Sequence, residues 1–178
     1  YIVDVGANIG CHTVSYALMN PESTVWAFEP QKKLFDILQK NVHQNDIEDQ
    51  VHLYNCGLAH APMSIELSPI ENVFDERHAG WNKGGLGIGQ GGEKMEVMTL
   101  DSLNLPGLNF MKIDVEGAES LVIQGAKETI MKYHPVICFE HNNQRIDPKH
   151  VGLDYISTPF EELVKLGYKH FVYLDWEN

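Results

Sequence analysis

A chain of 178 residues, 43% of them hydrophobic, has the composition of one folded domain and not that of a disordered chain. Its formal net charge of −12 repels phosphate backbones, so nucleic acid is disfavoured as a partner. No run approaches the roughly 18 apolar residues that a membrane helix needs, and no signal peptide is visible. In chain order, Ile2–Val5 is a short apolar run ending in Gly-Ala-Asn, which reads as a buried strand and a turn. A helix is predicted over His12–Leu18, with Pro21 past its end. Thr24–Phe28 is the second strand. Pro30 then opens a helix whose apolar face holds Leu34, Ile37 and Leu38, and Val51–Tyr54 is the third strand.

The alternation of strand and helix predicts an α/β fold on a mostly parallel sheet. Met63–Leu67 and Met95–Met98 interrupt it as half-exposed strands, forming a small inserted hairpin. Between them Ala79–Gly92 carries seven glycines and reads as a mobile joining loop. The rhythm resumes with a strand at Phe110–Val115, a helix over Ala118–Tyr133 and a strand at Pro135–Glu140. Thr158-Pro159-Phe160-Glu161 has the form of a capping box. It opens a helix whose Phe160, Leu163 and Val164 face inward and which Gly167 ends. His170–Leu174 is expected to be a last strand. The whole of residues 1–178 reads as one domain. It opens inside a strand-like run with no initiator Met, so both ends are expected to be trimmed from a longer protein. Cys11, Cys56 and Cys138 are odd in number and form no CxxC pair. Reduced, buried thiols and a cytoplasmic, reducing compartment are the expectation.

Chemistry concentrates first at the turn after the first strand. Asp4-Val5-Gly6-Ala7-Asn8-Ile9-Gly10 places glycines at i and i+4 between a strand and a helix. Gly6 permits a tight turn, and Gly10 is expected to let the backbone approach a ligand. The GxGxxG pattern of dinucleotide sites is absent. S-adenosylmethionine has no phosphate and suits a Gly-lined floor with carboxylates nearby. Glu29 ends the second strand 19 residues after Gly10, where a carboxylate can accept both ribose hydroxyls. The candidate cofactor residues are therefore Asp4, Gly6, Ala7, Asn8, Gly10, Thr13, Glu29 and Pro30. Cys56, Gly57 and Leu58 join them from the loop after the third strand, Asn55-Cys56-Gly57-Leu58, beside the adenine.

DVGANIG (Asp4–Gly10), AFEP (Ala27–Pro30), TLDSL (Thr99–Leu103), MKIDVEGAE (Met111–Glu119), GA (Gly125-Ala126) and PVICFE (Pro135–Glu140) occur in this order. Together they resemble the FkbM-type methyltransferase family over essentially the whole chain, KIDVEGAE being the most specific string. The resemblance implies a Rossmann-like class I methyltransferase fold and O-methylation of a sugar, glycan or other hydroxyl-bearing small molecule. It also marks Asp101, for which a turn-stabilising hydrogen bond is the physical expectation.

Ligands of open α/β sheets bind outside the carboxyl ends of the strands. Asp114 lies at the end of the fourth parallel strand with Glu116 two residues on, and Glu140 ends the fifth with His141 following. These four are the candidate catalytic residues, as a base for the acceptor hydroxyl. A divalent metal held by the carboxylates is an alternative that is not favoured. The nine histidines show no HxH or HExxH spacing, so no zinc site is expected. Lys112 is expected in a structural or ion-pair role, and Trp81 as an exposed aromatic able to stack on a sugar. Three alternatives stay open: an RNA ribose 2′-O-methyltransferase, disfavoured by the acidic charge and the lack of a Lys/Arg stripe, an NAD-dependent dehydrogenase, disfavoured by the missing GxGxxG, and a non-catalytic interaction module that keeps the fold.

Overall fold

The protein is described by a computed structural model covering residues 1–66, 94–141 and 146–174. Five strands form one parallel sheet: β1 (Ile2–Val5), β2 (Val25–Phe28), β3 (Val51–Tyr54), β7 (Phe110–Ile113) and β8 (Val136–Phe139), in the order β3-β2-β1-β7-β8. All four residues of β1 and of β2 are buried, as strands covered on both faces must be. Side chains alternate between the two faces. Val3, Val5, Phe28, Met111 and Ile113 pack against α3 (Glu119–Gln124), α4 (Lys127–Tyr133) and α5 (Pro159–Lys165). Ile2, Val25, Ala27, Leu38 and Val42 form the opposite core with α1 (Cys11–Met19) and α2 (Lys32–Gln44). The result is a Rossmann-like α/β sandwich, as expected.

A second sheet stands beside it, with β4 (Gly57–Leu58) parallel and β5 (Met63–Glu66) antiparallel to the central β6 (Lys94–Met98). The expected hairpin is its β5–β6 pair. Leu67, the Gly-rich Ala79–Gly92 and Trp81 lie outside the described residues.

Several local expectations are corrected. The helix expected over Ala118–Tyr133 is two helices, α3 and α4. Gly125 sits between them against the backbone of Ala59, where an added Cβ would lie 1.9 Å from the Ala59 carbonyl oxygen. Residues 170–174 form no strand, and Val172 and Tyr173 are more than four-fifths exposed. In α5 the capping box of Thr158 and Glu161 is formed and Leu163 is buried, but Val164 points to solvent. Ile37 of α2 is likewise exposed, the buried line running through Leu38 and Val42. The cysteines are unpaired as expected but not buried: Cys11 and Cys138 are exposed, and Cys56 is half-buried. No helix among the described residues is long and apolar enough to cross a membrane.

Candidate active site

The strand register builds the site. Val5 pairs with Phe28 and with Ile113, and Ile113 pairs with Phe139. These are the last rungs of the ladder, so Gly6, Glu29, Asp114 and Glu140 leave four neighbouring strands at one level. Chain connections run to opposite sides from β1 and β7, and a crevice opens where they part. A cavity of about 230 Å³ occupies it, lined by Gly6, Asn8, Glu29, Asp114, Glu116 and Glu140 among others. Its far wall is apolar: Met63, Ile65, Met95 and Val97 of the second sheet, with Ile146 and Val151.

Gly6 adopts φ 75°, and a Cβ there would lie 1.9 Å from the Asp114 carbonyl oxygen, so the turns after β1 and β7 are in contact. The Gly6 and Ala7 N–H groups both donate to the Phe28 carbonyl. Glu29 is buried, and each of its oxygens is fixed. Oε2 accepts from the Asn8 N–H at 2.9 Å and Oε1 from the Gln31 N–H at 2.8 Å. Burial pushes its carboxyl above the usual range, against the pull of those two donors. Asn55 donates to the Glu29 and Pro30 carbonyls and ties down the second turn. Pro30, Cys56, Gly57 and Leu58 line the same cavity.

The other predicted cofactor residues stand behind this surface. Asp4 is fully buried, its Oδ2 accepting from the Thr13 hydroxyl at 2.6 Å and its Oδ1 lying 3.3 Å from Lys112 Nζ. Ala7 is buried too. Gly10, at φ 91°, does not face the cavity. An added Cβ would meet Leu38 Cδ1 at 2.5 Å, so its lack of a side chain lets α2 pack against the turn. Asp4, Ala7, Gly10 and Thr13 thus support the turn that shapes the cavity wall.

On the other side, Asp114, Glu116 and Glu140 bring carboxylate oxygens within 4.8 Å of one another. That spacing would let one divalent cation bridge them. The turn delivering Glu116 has two consecutive residues at positive φ, Glu116 (54°) and Gly117 (101°). Left-handed backbone at a residue with a Cβ is strained and is held by its surroundings. Here the holding group is Glu119, whose Oε1 accepts from the N–H groups of Val115 and Gly117. Burial, then the charges of Asp114 and Glu119, raises the Glu116 carboxyl. Glu140 is raised by burial first and then by Asp114 and Glu116, and it shares a hydrogen bond with Asp114. His141 is exposed and lies outside the cavity lining, edge-on to Phe160 with ring centroids 5.0 Å apart.

Sequence reasoning missed Glu119 and Gln31 as parts of this site, while Asn55 falls in the loop expected beside the adenine. A carboxylate in the first turn of α3 was a usable signal for Glu119. Gln31 acts through its backbone N–H and leaves none. Asp101 has a role larger than the turn expected of it. Its carboxylate accepts from the N–H groups of Glu128 and Thr129 and from the Thr129 hydroxyl, capping α4 from a distant segment.

Residues 4–168 match the methyltransferase FkbM domain. The chain belongs to the FkbM methyltransferase family. Hexuronic acid methyltransferase AglP of Haloferax volcanii is 30% identical over 149 residues, covering 83% of this chain and 58% of that protein. Methyltransferase 1 of Beauveria bassiana is 27% identical over 157 residues, covering 70% and 57%. This FkbM chain therefore spans less than two thirds of the length of these relatives. The crystal structure of the FkbM methyltransferase of Methylobacillus flagellatus KT superposes with a TM-score of 0.56 at 19% identity, over 78% of this chain and 32% of that one. Precorrin-6y C5,15-methyltransferase of Geobacter metallireducens GS-15 gives 0.53 at 16%, over 94% and 62%. Both show the same fold.

Proposed function

We propose that this FkbM domain binds S-adenosylmethionine and transfers its methyl group to a neutral hydroxyl of a sugar, glycan or other small molecule. The observation that carries the reading is the level row of Gly6, Glu29, Asp114 and Glu140 around one cavity whose described lining contains carboxylates but no Lys or Arg. Such a donor set fits a cationic ligand with ribose hydroxyls and does not fit a pyrophosphate. Bound there, S-adenosylmethionine would supply a methyl already activated by its sulfonium.

The chain's own residues have three tasks. Glu29, pre-aimed by two N–H groups, accepts the ribose hydroxyls with its remaining lone pairs. Asp114 and Glu140 receive the proton of the acceptor hydroxyl as its oxygen bonds to carbon. The apolar wall keeps water from the reacting groups. Three carboxylates so close together disfavour an anionic acceptor, which points to a neutral hydroxyl, although the relative from Haloferax volcanii is named for a hexuronic acid.

Titration calorimetry with S-adenosylmethionine and with NAD tests the cofactor, and labelled-methyl transfer to neutral hexoses, hexuronic acids and RNA tests the acceptor. Binding of S-adenosylmethionine with transfer to a neutral hydroxyl is expected, and a chelator should leave it unchanged. Binding of NAD instead, or transfer to RNA alone, would overturn the reading. Arrest by a chelator would make the three carboxylates metal ligands in place of proton acceptors.

A further inference from the structure

Lys112 is a buried lysine in the middle of the sheet, beside Asp4 across the β1–β7 ladder. An ammonium ion taken out of water is tolerated only with good partners, and this one has three. Nζ donates to the Gly6 carbonyl oxygen at 2.8 Å, lies 3.3 Å from Asp4 Oδ1 and lies 3.4 Å from Asp114 Oδ2. The first two contacts are enough to explain a structural lysine, since they neutralise the wholly buried Asp4 and close the glycine turn. The third is different. The Asp114 side chain is 43% exposed, lines the cavity and needs no buried cation for its solvation.

We propose that Lys112 is a positioning residue, tying the turn after β1 to Asp114 and so holding the Asp114 carboxylate towards the transferring methyl. The inference rests on the functional reading above. Lys112 acts through Asp114 and does not itself line the cavity. The tie is mechanical as well as electrostatic. Gly6 and Asp114 touch through their backbones, and Asp4 is bonded onwards to Thr13 of α1, so Nζ links α1, β1 and β7 at one point.

The test compares the affinity for S-adenosylmethionine with that for its demethylated product, S-adenosylhomocysteine, which lacks the sulfonium charge. Asp114→Asn should shift the ratio towards the product. Lys112→Met should shift it in the same direction, on the order of fivefold, and the double variant should shift it no further than the larger single effect. Lys112→Gln, which keeps a donor for the Gly6 carbonyl, repeats the measurement if Met impairs folding, and melting curves check each variant. A lysine that only stabilises the fold would weaken both ligands equally. An unchanged ratio in Lys112→Met or Lys112→Gln, or multiplicative effects in the double variant, would overturn the positioning role while leaving the cofactor reading intact. Failure of the wild type to bind either ligand would overturn both.

Discussion

Glu29 and Gly6 show how a single residue's surroundings set its role. Glu29 holds a buried carboxylate with both oxygens aimed by backbone donors. Its replacement by Ala removes two acceptors for ribose hydroxyls, and cofactor affinity should fall by about 2–4 kcal/mol in calorimetry. Unchanged affinity would remove Glu29 from the cofactor site. Gly6→Ala should act on the fold instead. The new Cβ would meet the Asp114 carbonyl oxygen at 1.9 Å, at a φ of 75° that disfavours any Cβ. A loss of at least ~2 kcal/mol in denaturant unfolding is expected. Both residues were legible in the sequence, because a glycine after a strand and an acid one strand later have a fixed spatial meaning in this kind of sheet. For Gly10 the structure shows a packing requirement that the sequence did not announce. Its neighbour Leu38 lies on another helix, and no local pattern encodes that contact.

Elements were legible where periodicity and punctuation agreed, as in the Thr158–Glu161 capping box. The break between α3 and α4 was hidden because Val122, Ala126 and Ile130 keep a helical spacing across it and all stay buried. At the break Gly125 lies against the Ala59 backbone, a tertiary contact. Residues 170–174 have strand-like composition, but a strand also needs a partner, and none of the described strands pairs with them. The seven-residue α4 has no side-chain cap of its own and depends on Asp101. Asp101→Ala should therefore cost about 1–2 kcal/mol, as the loss of a good N-cap does. Asp101→Asn, which keeps acceptor capacity, should cost less. The melting temperatures of the two variants check this, and equal losses would mean that charge, not capping, is the contribution.

Across the whole molecule the strand order brings acids from distant segments to one rim, and folding must bury several of them. The parallel α/β plan was readable from the rhythm of strands and helices. The burial of Glu119, and the fixing of Glu29 by Asn8 and Gln31, were not, because both depend on turns whose backbone angles no residue pattern announces. These acids make an unusual pH dependence. Burial raises the carboxyls of Glu29 and Glu119 above the ordinary carboxylate value of 4.5, and those of Glu116 and Glu140 move the same way. Between 4.5 and the raised values the folded chain holds more protons than the unfolded one, so stability falls as pH rises through that window. The exposed or largely exposed Glu48, Glu161 and Glu162 are lowered, so their stabilising effect is lost only below the window, and solvent weakens it. His43, raised by Glu48, is exposed and adds weakly in the same direction as the buried acids. The melting temperature should thus rise as the pH falls through the window set by the raised carboxyls, at constant ionic strength. Glu29→Gln with Glu119→Gln keeps an acceptor oxygen at each site and removes both titrations, so the slope should flatten. A wild-type melting temperature that falls steadily over this range, or a slope the double variant leaves unchanged, would show that the buried acids do not govern it.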